Sequence, residues 1–211
     1  MIANSPLLHY TKLNPYIIST PRLGLRRWID TDIDTFGAMN KDAEVMRYYP
    51  RTLAENETLE MVHRINSHFD KHKFGLFAVE DKLTKQFIGY TGFAVPSFES
   101  FFTPCIEIGW RFQRAAWGQG FATEAAKACL KYGFRVLDFE KVVSFTATIN
   151  LRSENVMKRI GMIKTGEFDH PNIDSSTILC RHVLYEITNN HWTEFPNPPS
   201  VDIAQIPFCI T

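Results

Sequence analysis

Polar and apolar residues alternate from Arg22 to Trp28, and this period of two predicts a first strand. Asp30-Thr31-Asp32-Ile33-Asp34 then opens a helix, with acids in the first turn where the helix dipole favours them. From Glu57 to Lys71, the apolar positions Leu59, Val62, Ile65 and Phe69 recur at spacings of three and four, which predicts a second helix. Phe74–Val79 and Gln86–Val95 read as strands of a hairpin across a polar loop. Cys105–Phe112 predicts another strand, Thr123–Val136 a central helix, and Val142–Thr148 the strand after it. Ile163–Phe168 and Leu179–Ile187 complete the strands. Strands interleaved with helices predict an α/β (α+β) domain. Residues 1–20, with Pro6 and Pro15, read as an irregular leader, residues 21–188 as the domain, and 189–211 as a Pro-containing tail or small packed appendage. There is neither an internal repeat nor a low-complexity tract.

Composition narrows the function classes. The 211 residues suffice for a single well-packed domain. Lys plus Arg equal Asp plus Glu, at 23 each, so a nucleic acid is not expected as the main partner. Cys105, Cys129, Cys180 and Cys209 lack metal-site spacing and read as reduced thiols. No apolar run is long enough to span a bilayer, and the N-terminus lacks a signal-peptide pattern. A cytoplasmic protein without metal or membrane contact, monomeric or homodimeric, is the expectation.

Candidate chemistry centres on Trp117-Gly118-Gln119-Gly120-Phe121-Ala122-Thr123, between a predicted strand and a predicted helix. Glycine lets a backbone approach a ligand closely, and the first amides of a helix lack internal partners and attract anions. A tight strand-to-helix loop without a ligand is the competing explanation. The turn lacks the Gly-Lys-Ser/Thr of a Walker loop and the third glycine of a dinucleotide fingerprint. A second segment, Ala147 to Met162, places Asn150 as an N-cap with Ser153 and Glu154 in the first turn. Val156, Met157 and Ile160 form its apolar face, and Gly161 stands just past its end.

The first segment resembles the acyl-CoA pyrophosphate loop of the GNAT superfamily of N-acetyltransferases, Gln/Arg-x-x-Gly-x-Gly/Ala. Trp117 departs from the first position of that pattern. The aromatic-Ala-Thr-Glu-Ala continuation is similar to the branch containing ribosomal-protein N-terminal acetyltransferases. The second segment resembles the family's later Asn-x-x-Ser helix, and Thr20–Arg26 its opening strand; the resemblance spans about Pro21 to Ile187. It implies a mixed, mostly antiparallel sheet of about six to seven strands with helices on both faces. It also implies that the strand before the Gly turn splays from the next one and admits a pantetheine arm. Acetyl-CoA is then the co-substrate, and a primary amine, either a protein N-terminus or a small molecule, attacks it directly in a ternary complex. The implied cofactor contacts are Ile108 and Trp110 through the strand backbone, Trp117, Gly118, Gln119, Gly120, Phe121, Ala122 and Thr123 in the loop, and Asn150. An acyl-CoA-binding or sensing module of the same fold, with little catalysis, is the alternative.

Acetyl transfer needs a neutral amine, a polarised carbonyl and a protonated leaving thiolate. Glu107, facing away from Ile106 and Ile108, is the candidate general base or water-positioning group; an ion pair with Arg111 is its competing role. Ser153 is the candidate general acid or a first-turn cap. Asn150 binds the cofactor, caps its helix, or does both. His170 and His182 both lie within reach of an acceptor, with nothing to choose between them. His68 and His72 sit at i, i+4 with lysines around them and read as a solvated face. Phe98, Phe101 and Phe102 either line a pocket or pack on the sheet.

Overall fold

A computed structural model describes residues 14–193 and 202–203. In chain order the elements are β1 (Ile18–Ser19), β2 (Leu23–Arg26), α1 (Ile33–Lys41), α2 (Glu55–His72), β3 (Leu76–Asp81), β4 (Gln86–Ala94), β5 (Glu107–Phe112), α3 (Phe121–Arg135), β6 (Lys141–Ala147), α4 (Leu151–Arg159), β7 (Ile163–Asp169), β8 (Arg181–Thr188), α5 (Asn189–Thr193) and β9 (Asp202–Ile203). They build one nine-stranded sheet in the order β7-β8-β6-β5-β4-β3-β2-β1-β9. Every neighbouring pair with a described register is antiparallel except β5 and β6, which run parallel.

The strand count exceeds the expected one because β1 and β9 are each two residues long and carry no readable periodicity. Ile18 and Ser19 fall inside the expected leader, yet they pair with Leu25 and Gly24 on one side and with Ile203 and Asp202 on the other. In the expected tail, Trp192 is buried, 5.6 Å from the Phe134 ring and 5.5 Å from the Arg135 guanidinium. The leader before residue 14 and the prolines of the tail lie outside the described residues.

Helices cover both faces of the sheet. Tyr90 of β4 meets Phe36 of α1 at 5.9 Å, whereas Phe77 of β3, on the opposite face, meets Tyr132 of α3 at 6.0 Å. Small residues on α3 bring it close to the strands: Ala125, Ala126, Ala128 and Cys129 are all fully buried. In α2, Val62, Ile65 and Phe69 face inward as the periodicity predicts, but Leu59 stays 37% exposed. Thr58 is buried instead and accepts a hydrogen bond from Asn40 Nδ2 at 3.1 Å, so a polar contact sets the rotation of that first turn. Phe98 and Phe102 pack against Phe145 and Phe168 in a second small core. Phe101 remains exposed.

The parallel pairing of β5 with β6 lasts for one register pair, Glu107 with Val143. The Val143 amide donates to Ile106 O at 2.8 Å, and the Ser144 hydroxyl donates to Ile108 O at 2.9 Å. Beyond Ile108 the strands diverge, so the expected splay is present. Peptide groups alternate sides along a strand. Gly109 O faces β4, where it accepts from Thr91 Oγ1 at 3.0 Å. The Trp110 peptide therefore faces the gap, and it is paired with no residue of β6.

The Ser144 hydroxyl is thus the last tie between the halves of the sheet. Ser144→Ala leaves the Ile108 carbonyl without that donor and is expected to cost about 1–3 kcal/mol in urea denaturation.

Candidate active site

The Gly turn is a conformational requirement before it is a binding loop. Gly118 and Gly120 take φ of 75° and 79°, left-handed values that a side chain disfavours. Gly120 caps α3, and the amides of Phe121, Ala122 and Thr123 that follow have no helical carbonyl to bond. A clamp from the start of the domain holds this turn. Arg22 Nη1 donates to Gln119 O at 2.9 Å, and Nε donates to Glu124 Oε2 at 2.6 Å. The Arg22 guanidinium also lies 4.5 Å over the Phe121 ring. The Thr20 hydroxyl donates to the other Glu124 oxygen at 2.6 Å. Glu124 is thereby neutralised where an ionised acid would otherwise repel an anion. Sequence reading missed this clamp, because Arg22 and Glu124 are 102 positions apart; the only signal was an acid in the first turn of α3.

Trp117 does not offer its indole to a ligand. Its Nε1 donates to Phe112 O at 2.9 Å, and its ring carries the Arg152 guanidinium at 4.6 Å. The residue that departs from the family pattern joins the loop to α4. Gln119 likewise turns inward, its Nε2 donating to Ala115 O at 2.8 Å.

Asn150 caps α4, its Oδ1 accepting from the Ser153 amide at 3.3 Å. Its Nδ2 donates to Thr146 Oγ1 at 2.9 Å and to Ser153 Oγ at 3.1 Å. The Ser153 oxygen is therefore an acceptor here, and its hydroxyl proton remains free to point elsewhere.

These residues surround the splay from two sides. A cavity of about 580 Å³ is lined by Gly118, Gly120, Phe121, Ala122, Thr123, Asn150, Ser153, Arg152 and Arg159, together with Trp110 and Trp117. A second, of about 440 Å³, is lined by Glu107, Gly109, Ser144, Thr146, His170 and His182. Trp110, Arg111, Asn150 and Ser153 line both. The fold thus brings every predicted site residue around this gap except Ile108 and Gln119, which touch neither cavity. Ile108 is fully buried and its carbonyl is taken by the Ser144 hydroxyl, so the expected contact of its strand backbone with a cofactor has no free carbonyl to use. Tyr48 and Tyr49, from the segment after α1, also line both cavities and were not singled out in the sequence.

The Glu107 carboxyl makes no hydrogen bond or ion pair with the described residues, and Arg111 is bonded elsewhere, which overturns the expected alternative of a pair with Arg111. Arg111 turns to Asn40 Oδ1 instead, at 2.7 Å. Burial without a partner pushes the Glu107 carboxyl up to about 8. His170 and His182 lie 5.1 Å apart, and burial lowers both below the usual imidazole value. His68 is tied to backbone through both ring nitrogens, to Phe74 O at 2.9 Å and to the Val95 amide at 3.3 Å, so it is a half-buried structural histidine rather than part of a solvated face.

A wedge in a mixed sheet, with a glycine-capped helix aimed at one end of it, defines an acyl-CoA-type transferase fold. The family model for the acetyltransferase (GNAT) domain matches residues 22–163, and the chain belongs to that family. It is 36% identical over 144 residues to YkkB, an uncharacterised protein of Bacillus subtilis, covering 68% of this chain and 83% of that one. It is 30% identical over 152 residues to the uncharacterised N-acetyltransferase YnaD of the same organism, covering 72% and 85%. A solved GNAT acetyltransferase from Bacillus anthracis superposes with a TM-score of 0.69 at 26% identity, over 82% of this chain and 98% of that one. The protein is an acetyl-CoA-dependent acyltransferase. No helix among the described residues is long and apolar enough to cross a membrane.

The raised Glu107 carboxyl has a consequence for stability. Between pH 4.5 and about 8 the folded state holds a proton that the unfolded chain releases, so stability falls as pH rises through that window. Glu107→Gln does not titrate. Its melting temperature is expected to gain on the wild type steadily from about pH 5 to about pH 8 and to hold that gain above it.

Proposed function

We propose that the protein transfers the acetyl group of acetyl-CoA to a primary amine, of a peptide N-terminus or a small molecule, by direct attack within a ternary complex. The observation that carries this reading is the placement of the Trp110 peptide: it faces the β5/β6 gap, between the glycine-capped end of α3 and the cavity containing Glu107. The residues present fit the cofactor. The amides of Gly118 to Thr123 suit a pyrophosphate, and Arg152 and Arg159 supply positive charge beside them. The gap suits an extended amide-bearing arm, whose polar groups the unpaired edge of β5 satisfies. Acetyl-CoA supplies the thioester and its thiolate leaving group.

The chain's own groups supply the rest. The Trp110 amide is an oriented donor for oxygen as it gains charge. Glu107, ionised above about 8, takes the proton that the attacking amine must lose, directly or through water. The Ser153 hydroxyl, with its oxygen already accepting from Asn150, has its proton available for the departing thiolate. Asn150 then serves as both cap and positioner. The similarity of the Gly turn to the ribosomal-protein N-terminal acetyltransferase branch puts peptide N-termini among the acceptors to be tested.

Gly120→Val forces a β-branched residue into a left-handed φ and turns the first α3 amides away. Calorimetric titration with acetyl-CoA is expected to give a dissociation constant raised about tenfold or more. An unchanged constant removes the loop from the binding site. Glu107→Gln is expected to lower kcat/KM by about a hundredfold or more, with cofactor affinity retained. In pH–rate profiles of kcat/KM for the two proteins, the rise contains both the amine, about 7.7–8.0 for an α-amine, and Glu107, and acceptors of different amine pKa separate the two limbs. A limb that follows only the amine in both proteins assigns no base role to Glu107.

A further inference from the structure

Among the described residues, two arginines are deeply buried, and their surroundings differ in one respect. Arg26 is met by carboxylates: Asp32 accepts from Nη1 and Nη2 at 2.7 and 2.9 Å, and Glu80 accepts from Nε at 3.1 Å. Arg111, 7% exposed, meets none. Nη1 donates to Asn40 Oδ1 at 2.7 Å, and Asn40 is fully buried and fixed in turn by its bond to Thr58. The Tyr49 and Tyr90 rings lie 4.0 and 5.4 Å from the guanidinium carbon. Nε is buried and has no acceptor. A rigid, oriented cation thus lacks a counter-ion, an arrangement that folding disfavours unless something outside the chain supplies the charge.

Its location says what that something is. Glu107, Gly109 and Arg111 alternate with Ile108 and Trp110, so Glu107 and Arg111 project from one face of β5. That face is the one covered by α1, through Tyr90 and Asn40, and not the one covered by α3. Arg111 also borders the cavity at the α3 N-terminus, so a cofactor phosphate is the competing anion, and the acetyl-CoA titration below separates the two. Glu107 is not its partner, since the two make no ion pair. Both line the same cavity of about 440 Å³. Four residues of extended strand separate their backbones by about 13 Å, a span that side chains and a small molecule fill together.

We infer that the acceptor is a small primary amine bearing a carboxylate, an amino acid or short peptide with a free C-terminus, and that Arg111 binds that carboxylate while the amine lies toward Glu107. This rests on the transferase reading for the amine end only. A guanidinium fork pairs with a carboxylate through two parallel donors, and the buried Nε is the Arg111 donor left without a partner, which a carboxylate reaches once the Tyr49 ring beside it shifts. A polyamine meets the opposite treatment: the buried cation repels it and offers no acceptor.

The test pairs each common L-α-amino acid, and a set of glycyl dipeptides, with its C-terminal amide as acceptor. The wild type is expected to favour acids over amides by about 30-fold or more in kcat/KM, and Arg111→Gln and Arg111→Lys to collapse that ratio. A second readout needs no turnover: calorimetry on the CoA-loaded protein with N-acetyl amino acids and their amides. Acid-selective binding that Arg111→Gln abolishes supports the assignment even where no amine is acetylated, an outcome that instead sinks the transferase reading. Acids and amides that react and bind alike, or carboxylates that fail to bind, overturn it. Acetyl-CoA affinity equal in wild type and Arg111→Gln is expected, and a loss there reassigns Arg111 to the cofactor.

Discussion

Everything in this molecule that faces chemistry depends on β5 and β6 separating after a single shared pair. Parallel strands normally continue their ladder, because each peptide left unpaired in a closed interior is costly. Here the ladder stops at Glu107 and Val143, and Ser144 covers the next carbonyl with its side chain. The peptide beyond it is left for a guest. The gap is held open from the sides: α3 packs through alanines against the β1–β5 half, and α4 caps itself on Asn150 at the foot of β6. The Gly turn and the Asn150 helix start at the same end of that gap, so the cavities meet at Trp110, Arg111, Asn150 and Ser153.

The elements that create the gap were legible because they are local. Left-handed glycines between a strand and a helix, and an asparagine three residues before a serine, declare themselves within a few positions. The alternation along β5 also placed Glu107 on the opposite face from Ile108. What alternation does not carry is the partner. The same period that puts Glu107 and Arg111 on one face made an ion pair between them the obvious structural reading, yet Asn40, 71 positions from Arg111, claims the guanidinium. The two-residue strands β1 and β9 escaped notice for a related reason: their only evidence is the pairing itself.

Trp117 illustrates how a departure from a family pattern is accommodated. Where the resembled pattern has Gln or Arg, this chain has a Trp that bonds Phe112 O and carries Arg152 on its ring. Positive charge beside the loop comes from Arg152 of the neighbouring helix. Arg22 in turn bonds Glu124, whose carboxylate oxygens it shares with Thr20. Local sequence thus builds the turn, and contacts from remote segments set its electrostatics.

One outcome of the shortened β5/β6 ladder concerns mechanics. Strands β1 to β5, with β9, form one hydrogen-bonded plate, and β6 to β8 form another. The backbone seam between them is only as long as the contact at Glu107 and Val143. The two plates are therefore joined mainly by side chains, in one apolar core that runs from Ile108 to Val142 and Tyr185, and the slot beside Glu107 is set by packing rather than by a backbone ladder.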